Sequence, residues 1–191
     1  RRVHATFWLL DAPDSLNRQS HANPDGTGLG TYDGDGRPVV EKQPLPAYGD
    51  PAFAAEARER ESTTFVAHVR LSSGTPVNAA NTHPFERDGR LFAHNGVLGD
   101  LPRLEERLGT TRQTLVGDTD SERWFALITD EIRAAGDVAT GIVRALSWVA
   151  DALPVVSANF ILIDEHHLWA VRYPERHELW LLERAAGQGM D

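Results

Sequence analysis

Four clusters of polar residues stand out because neither a core nor an ordinary turn requires them. In His68-Val-Arg70-Leu-Ser72-Ser73-Gly74 an arginine closes an alternating segment just before a Ser-Gly loop. A guanidinium there can hold a carboxylate through two parallel hydrogen bonds, and a solvated surface arginine would read the same way. Asn78-Ala-Ala-Asn81-Thr82-His83-Pro84-Phe85 is a polar loop whose amides and imidazole either serve a site or satisfy backbone groups. His94-Asn95-Gly96 can set an amide side chain beside a backbone N–H, the pair of donors that a developing oxyanion needs, although Asn-Gly is also an ordinary turn dipeptide. Gly117-Asp-Thr-Asp-Ser-Glu122 contains a capping box that accounts for Thr119 and Glu122 and leaves Asp118 and Asp120 over. Carboxylates in a first helical turn gain from the helix dipole, and they could equally receive a substrate ammonium group.

The elements around these clusters follow from periodicity. Cap residues and a proline over 11–20 predict a short helix. Leu29 to Tyr32 and Pro38 to Lys42 predict a hairpin, and Pro51 to Arg60, rich in Ala and Glu, predicts a helix. Thr63 to Leu71 alternates with period two and reads as a strand, and Arg90 to His94 reads as a second one stopped by an Asn95-Gly96 turn. Trp124, Leu127, Ile128 and Ile132 recur at helical spacing after the Thr119 box. Ile142, Ala145, Leu146, Val149 and Leu153 do so after an Asp137 cap and before Pro154. Ser157 to Ile163, Leu168 to Tyr173 and Glu178 to Leu182 read as strands separated by hairpin-length turns, with the His166-His167 pair in one of them. Strands, two helices and strands again, without a βαβ rhythm, predict an α+β fold with mainly antiparallel sheets.

Composition removes whole classes of function. The 191 residues, 41% of them hydrophobic, suffice for one large domain, and neither an internal repeat nor a long linker divides it. A formal net charge of −9 disfavours nucleic acid and anionic membranes. No apolar stretch approaches the ~20 residues that span a bilayer, and the opening residues make no persuasive signal peptide, so a cytoplasmic location is expected. The absence of cysteine removes disulfides, thiolate metal sites and any thiol nucleophile within the stretch.

Taken in order, Arg70 at a strand end, Asn81-Thr-His-Pro-Phe85, Leu91-Phe-Ala-His-Asn-Gly-Val-Leu98 and Gly117-Asp-Thr-Asp-Ser-Glu122 resemble the glutaminase domain of class II glutamine amidotransferases, which are N-terminal nucleophile hydrolases. Asn23-Pro-Asp-Gly-Thr-Gly-Leu-Gly-Thr-Tyr32 is similar to a segment of the stand-alone members, and the resemblance runs from about Leu16 to Glu122. It implies a four-layer αββα sandwich with two mainly antiparallel sheets, and one such domain over 1–191. It also implies that Arg70 clamps an α-carboxylate, that Asp120 receives an α-amino group, and that Asn95 and Gly96 form an oxyanion hole. His83 and His94 then support the site, while Ser72 and Ser73 have only a doubtful binding role, because Arg70-Leu-Ser-Ser-Gly74 is shorter than the corresponding segment of the glucosamine-forming and purine branches. The implied substrate is glutamine or a γ-glutamyl small molecule, with no metal and no cofactor; a synthase partner or a homo-oligomer stays open.

The family attacks with an N-terminal cysteine whose own amine is the base, and this sequence opens on Arg1. Either the first residues, with the cysteine, lie outside the stretch, or the protein is a pseudoenzyme that only binds glutamine or γ-glutamyl compounds, or a hydroxyl substitutes. Omission is the favoured expectation, and the end at Gly187 to Asp191 looks equally abrupt. Two rival readings are weaker. A metal hydrolase on His83, His94, Asp118, Asp120 and His166-His167 lacks helical ligand spacing. A nucleotide site on Gly26-x-Gly28-x-Gly30 lacks the helix N-terminus that would hold phosphate.

Overall fold

The structure is a computed structural model and describes residues 2–183. A two-stranded ribbon pairs β1 (Val3–His4) with β4 (Glu61–Ser62). A three-stranded sheet has the order β3 (Pro38–Gln43), β2 (Thr27–Tyr32), β5 (Val66–Val69). A four-stranded sheet runs β6 (Phe85–Arg87), β7 (Arg90–Leu98), β8 (Val155–Ile163), β9 (Leu168–Val171). Every pairing is antiparallel, so the fold is mixed helix and antiparallel sheet, as the element order predicted. The helices are α1 (Leu16–Gln19), α2 (Pro51–Glu59), α3 (Leu101–Leu108), α4 (Asp120–Ala135) and α5 (Val138–Ala152).

Strand alternation distributes the core. On β7, Phe92 and Leu98 face α4 and α5, where they pack with Trp124, Phe125, Ile128 and Phe160. The other face of β7 presents Leu91 and Ala93 to Tyr32 and Val66 of the three-stranded sheet. Leu29 of β2 turns the opposite way, onto Phe53 and Ala57 of α2. Gly28 of β2 lies so close to the His83 carbonyl and Pro84 that a Cβ would meet them, which explains a glycine in mid-strand where propensity disfavours it.

The caps behave as the sequence predicts, with one difference. Asp137 accepts from Thr140 N at 2.7 Å and Thr119 Oγ1 from Glu122 N at 3.2 Å. The Glu122 carboxylate, however, does not close the box on Thr119; it accepts from Val116 N and Gly117 N and so ties the preceding loop to α4. The predicted hairpin forms with Thr27↔Gln43 to Tyr32↔Pro38 in register.

Four local expectations are corrected. Asn95-Gly96 is not a turn: β7 runs through it to Leu98, with Asn95 opposite Asn159 and Gly96 opposite Ala158. Pairing with β8 outweighs the local turn preference, and Gly96 is needed because the Ser157 carbonyl leaves no room for a Cβ. The strand expected over Thr63 to Leu71 shrinks to Val66–Val69, since the Thr63 and Thr64 hydroxyls bond the Glu165 and Asp164 carbonyls instead. Residues 178–182 form no strand; Leu179, Trp180, Leu181 and Leu182 are exposed, and β-propensity without a partner edge does not make a strand. Within 11–20 the expected short helix covers only Leu16–Gln19, and Asp11 ends a separate π-helical turn over Phe7–Asp11. Helix α3 was not foreseen, although Asp100 as cap, Pro102 and the Leu101, Leu104, Leu108 spacing announce it. The expected end segment over 187–191 lies outside the described residues.

Candidate active site

A cavity of about 490 Å³ opens where the two larger sheets diverge. Its lining includes Arg70, Ser73, His83, His94, Asn95, Gly96 and Asp120, residues scattered over fifty positions of sequence. The inter-sheet face of β7 changes character at this point: Leu91 and Ala93 belong to the core, while Asn95 is exposed to the cavity. Gly96 follows it in the same wall, so an amide side chain and a glycine backbone adjoin one another at the cavity.

Arg70 follows β5 and is only 4% exposed. Its guanidinium is held by neutral oxygens: Nη1 donates to the Pro76 carbonyl at 3.3 Å, and Nη2 donates to Thr75 Oγ1 at 2.6 Å and Ser72 Oγ at 3.2 Å. Among the described residues no carboxylate lies within ion-pair distance of it. Burial pushes its pKa down, with Asp25 opposing. A guanidinium nevertheless stays charged at neutral pH, so the cavity holds a buried cation with no carboxylate in direct contact, that of Asp25 acting on it from farther away. Ser72 is therefore a brace: its hydroxyl also donates to the Thr75 carbonyl at 2.6 Å, and it does not line the cavity, whereas Ser73 does.

Asp120 opens α4 opposite the arginine's loop. Its Oδ2 accepts from Leu98 N at 2.7 Å, just after the register shift between Val97 and Leu98, and its Oδ1 accepts from Ser121 N. The carboxylate thus anchors the end of β7 while facing the cavity. Asp118 is placed differently. It faces Asn81, whose Oδ1 accepts from Asp118 N at 2.7 Å and whose Nδ2 donates to Asp118 Oδ2 at 3.3 Å, a latch between the 78–85 loop and the entry to α4.

Four imidazoles line the same cavity, His68, His83, His94 and His177, two more than sequence reading selected. His94 Nε2 lies 3.2 Å from the Ser157 carbonyl, which can only accept, so Nε2 carries the proton and Nδ1 accepts from Ser121 Oγ at 2.9 Å. Burial holds its pKa down, with Asp120 pulling the other way. His83 lies against His68 and Phe85, with ring centroids 4.3 and 4.7 Å away, and neither of its ring nitrogens has a partner. Burial and the neighbouring His68 hold it well below the usual imidazole range. His68, on β5, is pushed down to about 4 by burial. Its place two residues before Arg70, on the same strand face, was the signal that could have selected it.

Asn159 was missed as well. It sits opposite Asn95 on β8, accepts from Tyr173 N at 2.9 Å, and so seats the segment that brings His177 to the cavity rim. His166 and His167 lie in the exposed turn before β9, where Asp164 Oδ1 accepts from both of their backbone N–H groups. Among the described residues no cluster of three or more His, Asp or Glu side chains is arranged to hold a metal ion, and none of the helices is long and apolar enough to cross a membrane.

Comparison with known proteins places this geometry in context. Residues 14–189 match the family profile of glutamine amidotransferases class-II. The chain is similar to YafJ of Escherichia coli (strain K12), a candidate glutamine amidotransferase, with 32% identity over 172 residues covering 84% of this chain and 64% of YafJ. It is similar to glutamine–fructose-6-phosphate aminotransferase [isomerizing] of Shigella flexneri, with 26% identity over 154 residues covering 81% of this chain and 24% of that enzyme. The chain thus spans less than two thirds of each of these relatives. Among solved structures, a glutamine aminotransferase class-II domain protein from Silicibacter pomeroyi matches with a TM-score of 0.60 at 27% identity, over 81% of this chain and 71% of that one. Glutamine phosphoribosylpyrophosphate amidotransferase from B. subtilis matches in fold, with a TM-score of 0.57 at 20% identity, over 82% of this chain and 33% of that one.

Proposed function

Because the chain belongs to the class II glutamine amidotransferases, we propose that its cavity cleaves the side-chain amide of glutamine or of a γ-glutamyl small molecule. The buried Arg70, with no carboxylate in ion-pair contact, carries this reading, since a buried guanidinium facing a cavity calls for an anionic ligand group. In this mechanism Arg70 holds the α-carboxylate and Asp120 receives the α-ammonium, fixing the glutamyl unit at both ends. The amide carbonyl then lies over Asn95 Nδ2 and Gly96 N–H, which stabilise the oxyanion as a thiolate adds to the carbon. Collapse of that intermediate releases ammonia or an amine and leaves a thioester, which water hydrolyses. His83 and His94, kept neutral by burial, support the walls, and Ser73 lines the pocket while Ser72 braces Arg70.

The same reading makes the domain a four-layer αββα sandwich, supported by the three apolar clusters: α2 against the three-stranded sheet, that sheet against the four-stranded one, and the latter against α4 and α5. The reading requires an attacking cysteine, and none of these 191 residues is one. A partner that consumes the ammonia, or a second copy of the chain, is compatible with it. The test is to treat the full-length protein with a glutamine-analogue electrophile and to measure ammonia release from L-glutamine and γ-glutamyl amides. Single labelling of an N-terminal cysteine, lost on blocking its amine, is the expected result. If no label enters while glutamine still raises the melting temperature, the domain binds without catalysing.

A further inference from the structure

The donors assigned to the oxyanion are held by Ser157, which also contributes to the cavity wall. Ser157 is buried on β8, and its hydroxyl oxygen accepts from Asn159 N at 3.4 Å, which leaves its proton for the Asn95 carbonyl at 3.0 Å. Asn95 C=O and Gly96 N–H belong to one planar trans peptide, so they point to opposite sides. Fixing the carbonyl toward β8 therefore turns Gly96 N–H away from β8. The same residue also holds the neighbouring side chain, because its own carbonyl accepts from His94 Nε2 at 3.2 Å. Both grips lie in the last stretch of regular pairing, with Asn95 opposite Asn159 and Gly96 opposite Ala158, just before the register shift at Val97/Leu98.

We infer that Ser157 is a positioning residue for the oxyanion donors: its hydroxyl, by holding the Asn95 carbonyl, aims Gly96 N–H at the cavity. The inference rests on the amidohydrolase reading for its catalytic consequence, but the geometry it asserts can be read without activity. Ser157→Ala removes the hydroxyl and retains the backbone carbonyl that His94 uses. A donor that is loosened rather than deleted should cost less than the roughly 10²–10³ of a missing oxyanion donor.

The experiment has two arms. In isotope-labelled protein, the Gly96 amide resonance of Ser157→Ala should move and its hydrogen exchange accelerate, while the His94 ring keeps its Nε2–H tautomer. An unmoved Gly96 amide overturns the inference whatever the activity. In the full-length protein, Ser157→Ala should lower kcat for glutamine about tenfold with KM within twofold, and Ser157→Thr, which keeps a hydroxyl, should recover most of the loss. Unchanged kcat, or a raised KM with kcat intact, overturns it. Inactivity of the unsubstituted full-length protein would instead count against the amidohydrolase reading, and the Gly96 amide would still decide the geometry.

Discussion

Arg70 and Asn95 lie at opposite ends of the proposed glutamyl site, and their substitutions should separate binding from turnover. Arg70→Ala removes a charge-assisted pair with the α-carboxylate that is made equally in ground and transition states, so KM should rise with kcat little changed. A charged hydrogen bond of this kind is worth about 1.5–3 kcal/mol, or roughly a 10- to 150-fold rise. Asn95→Ala removes a donor needed only when the oxyanion forms, so kcat should fall by roughly 10²–10³ with KM nearly constant. Steady-state kinetics of the full-length protein on L-glutamine checks both. The reverse pattern, with Arg70 governing kcat alone and Asn95 governing KM, would contradict the placement of the scissile amide.

At the scale of elements, the glycine-rich β2 exists to let another segment lie against it. A Cβ on Gly28 would meet the backbone carbonyl of His83 and the ring of Pro84, neither of which is the free end of a flexible side chain. Gly28→Ala should therefore destabilise the fold by about 1–3 kcal/mol, as overpacking does. Gly34, in the open β2–β3 turn with nothing within 4 Å of its Cβ position and no positive φ, is the control and should tolerate Ala. Urea midpoints of the two variants give the comparison. Equal midpoints would mean that the 82–85 segment shifts freely, and its hold on His83 would then be weak.

For the whole molecule, three imidazoles, His83 and His94 buried and His68 half-buried, are held neutral around one cavity, and the sign of their effect on stability follows. His68 is held at about 4 against an ordinary 6.5, and His83 and His94 are also held down, all three first by burial. Between pH 6.5 and 4 the unfolded chain binds more protons than the native one, so stability is full above 6.5 and falls as the pH drops through this window. At pH 5, His68 alone should account for a loss of about 2 kcal/mol. Denaturant unfolding at pH 7.5 and 5.0 measures it, and His68→Gln, which keeps a donor but cannot titrate, should flatten the dependence. A pH-independent stability over that range would show that the imidazoles are hydrated rather than buried.

What the sequence determined by itself was whatever depends on near neighbours in the chain. The β2–β3 hairpin, the caps at Thr119 and Asp137 and the apolar faces of α4 and α5 rest on contacts within a few residues, so periodicity and cap chemistry suffice. The polar clusters at 68–74, 94–96 and 117–122 were likewise visible as residues without a structural duty. Tertiary structure decided what they do together. Only the pairing of β7 with β8 turns Asn95-Gly96 from a turn dipeptide into mid-strand donors, and it overrides the local preference because a whole ladder outweighs one dipeptide. Only the loop closing over Arg70 reveals it as a buried cation rather than a surface one. The roles of His68, Asn159 and Ser157 come from partners 14 to 62 residues away, beyond the reach of any local pattern, and the 178–182 segment shows the converse, a strand-like sequence that finds no edge to pair with.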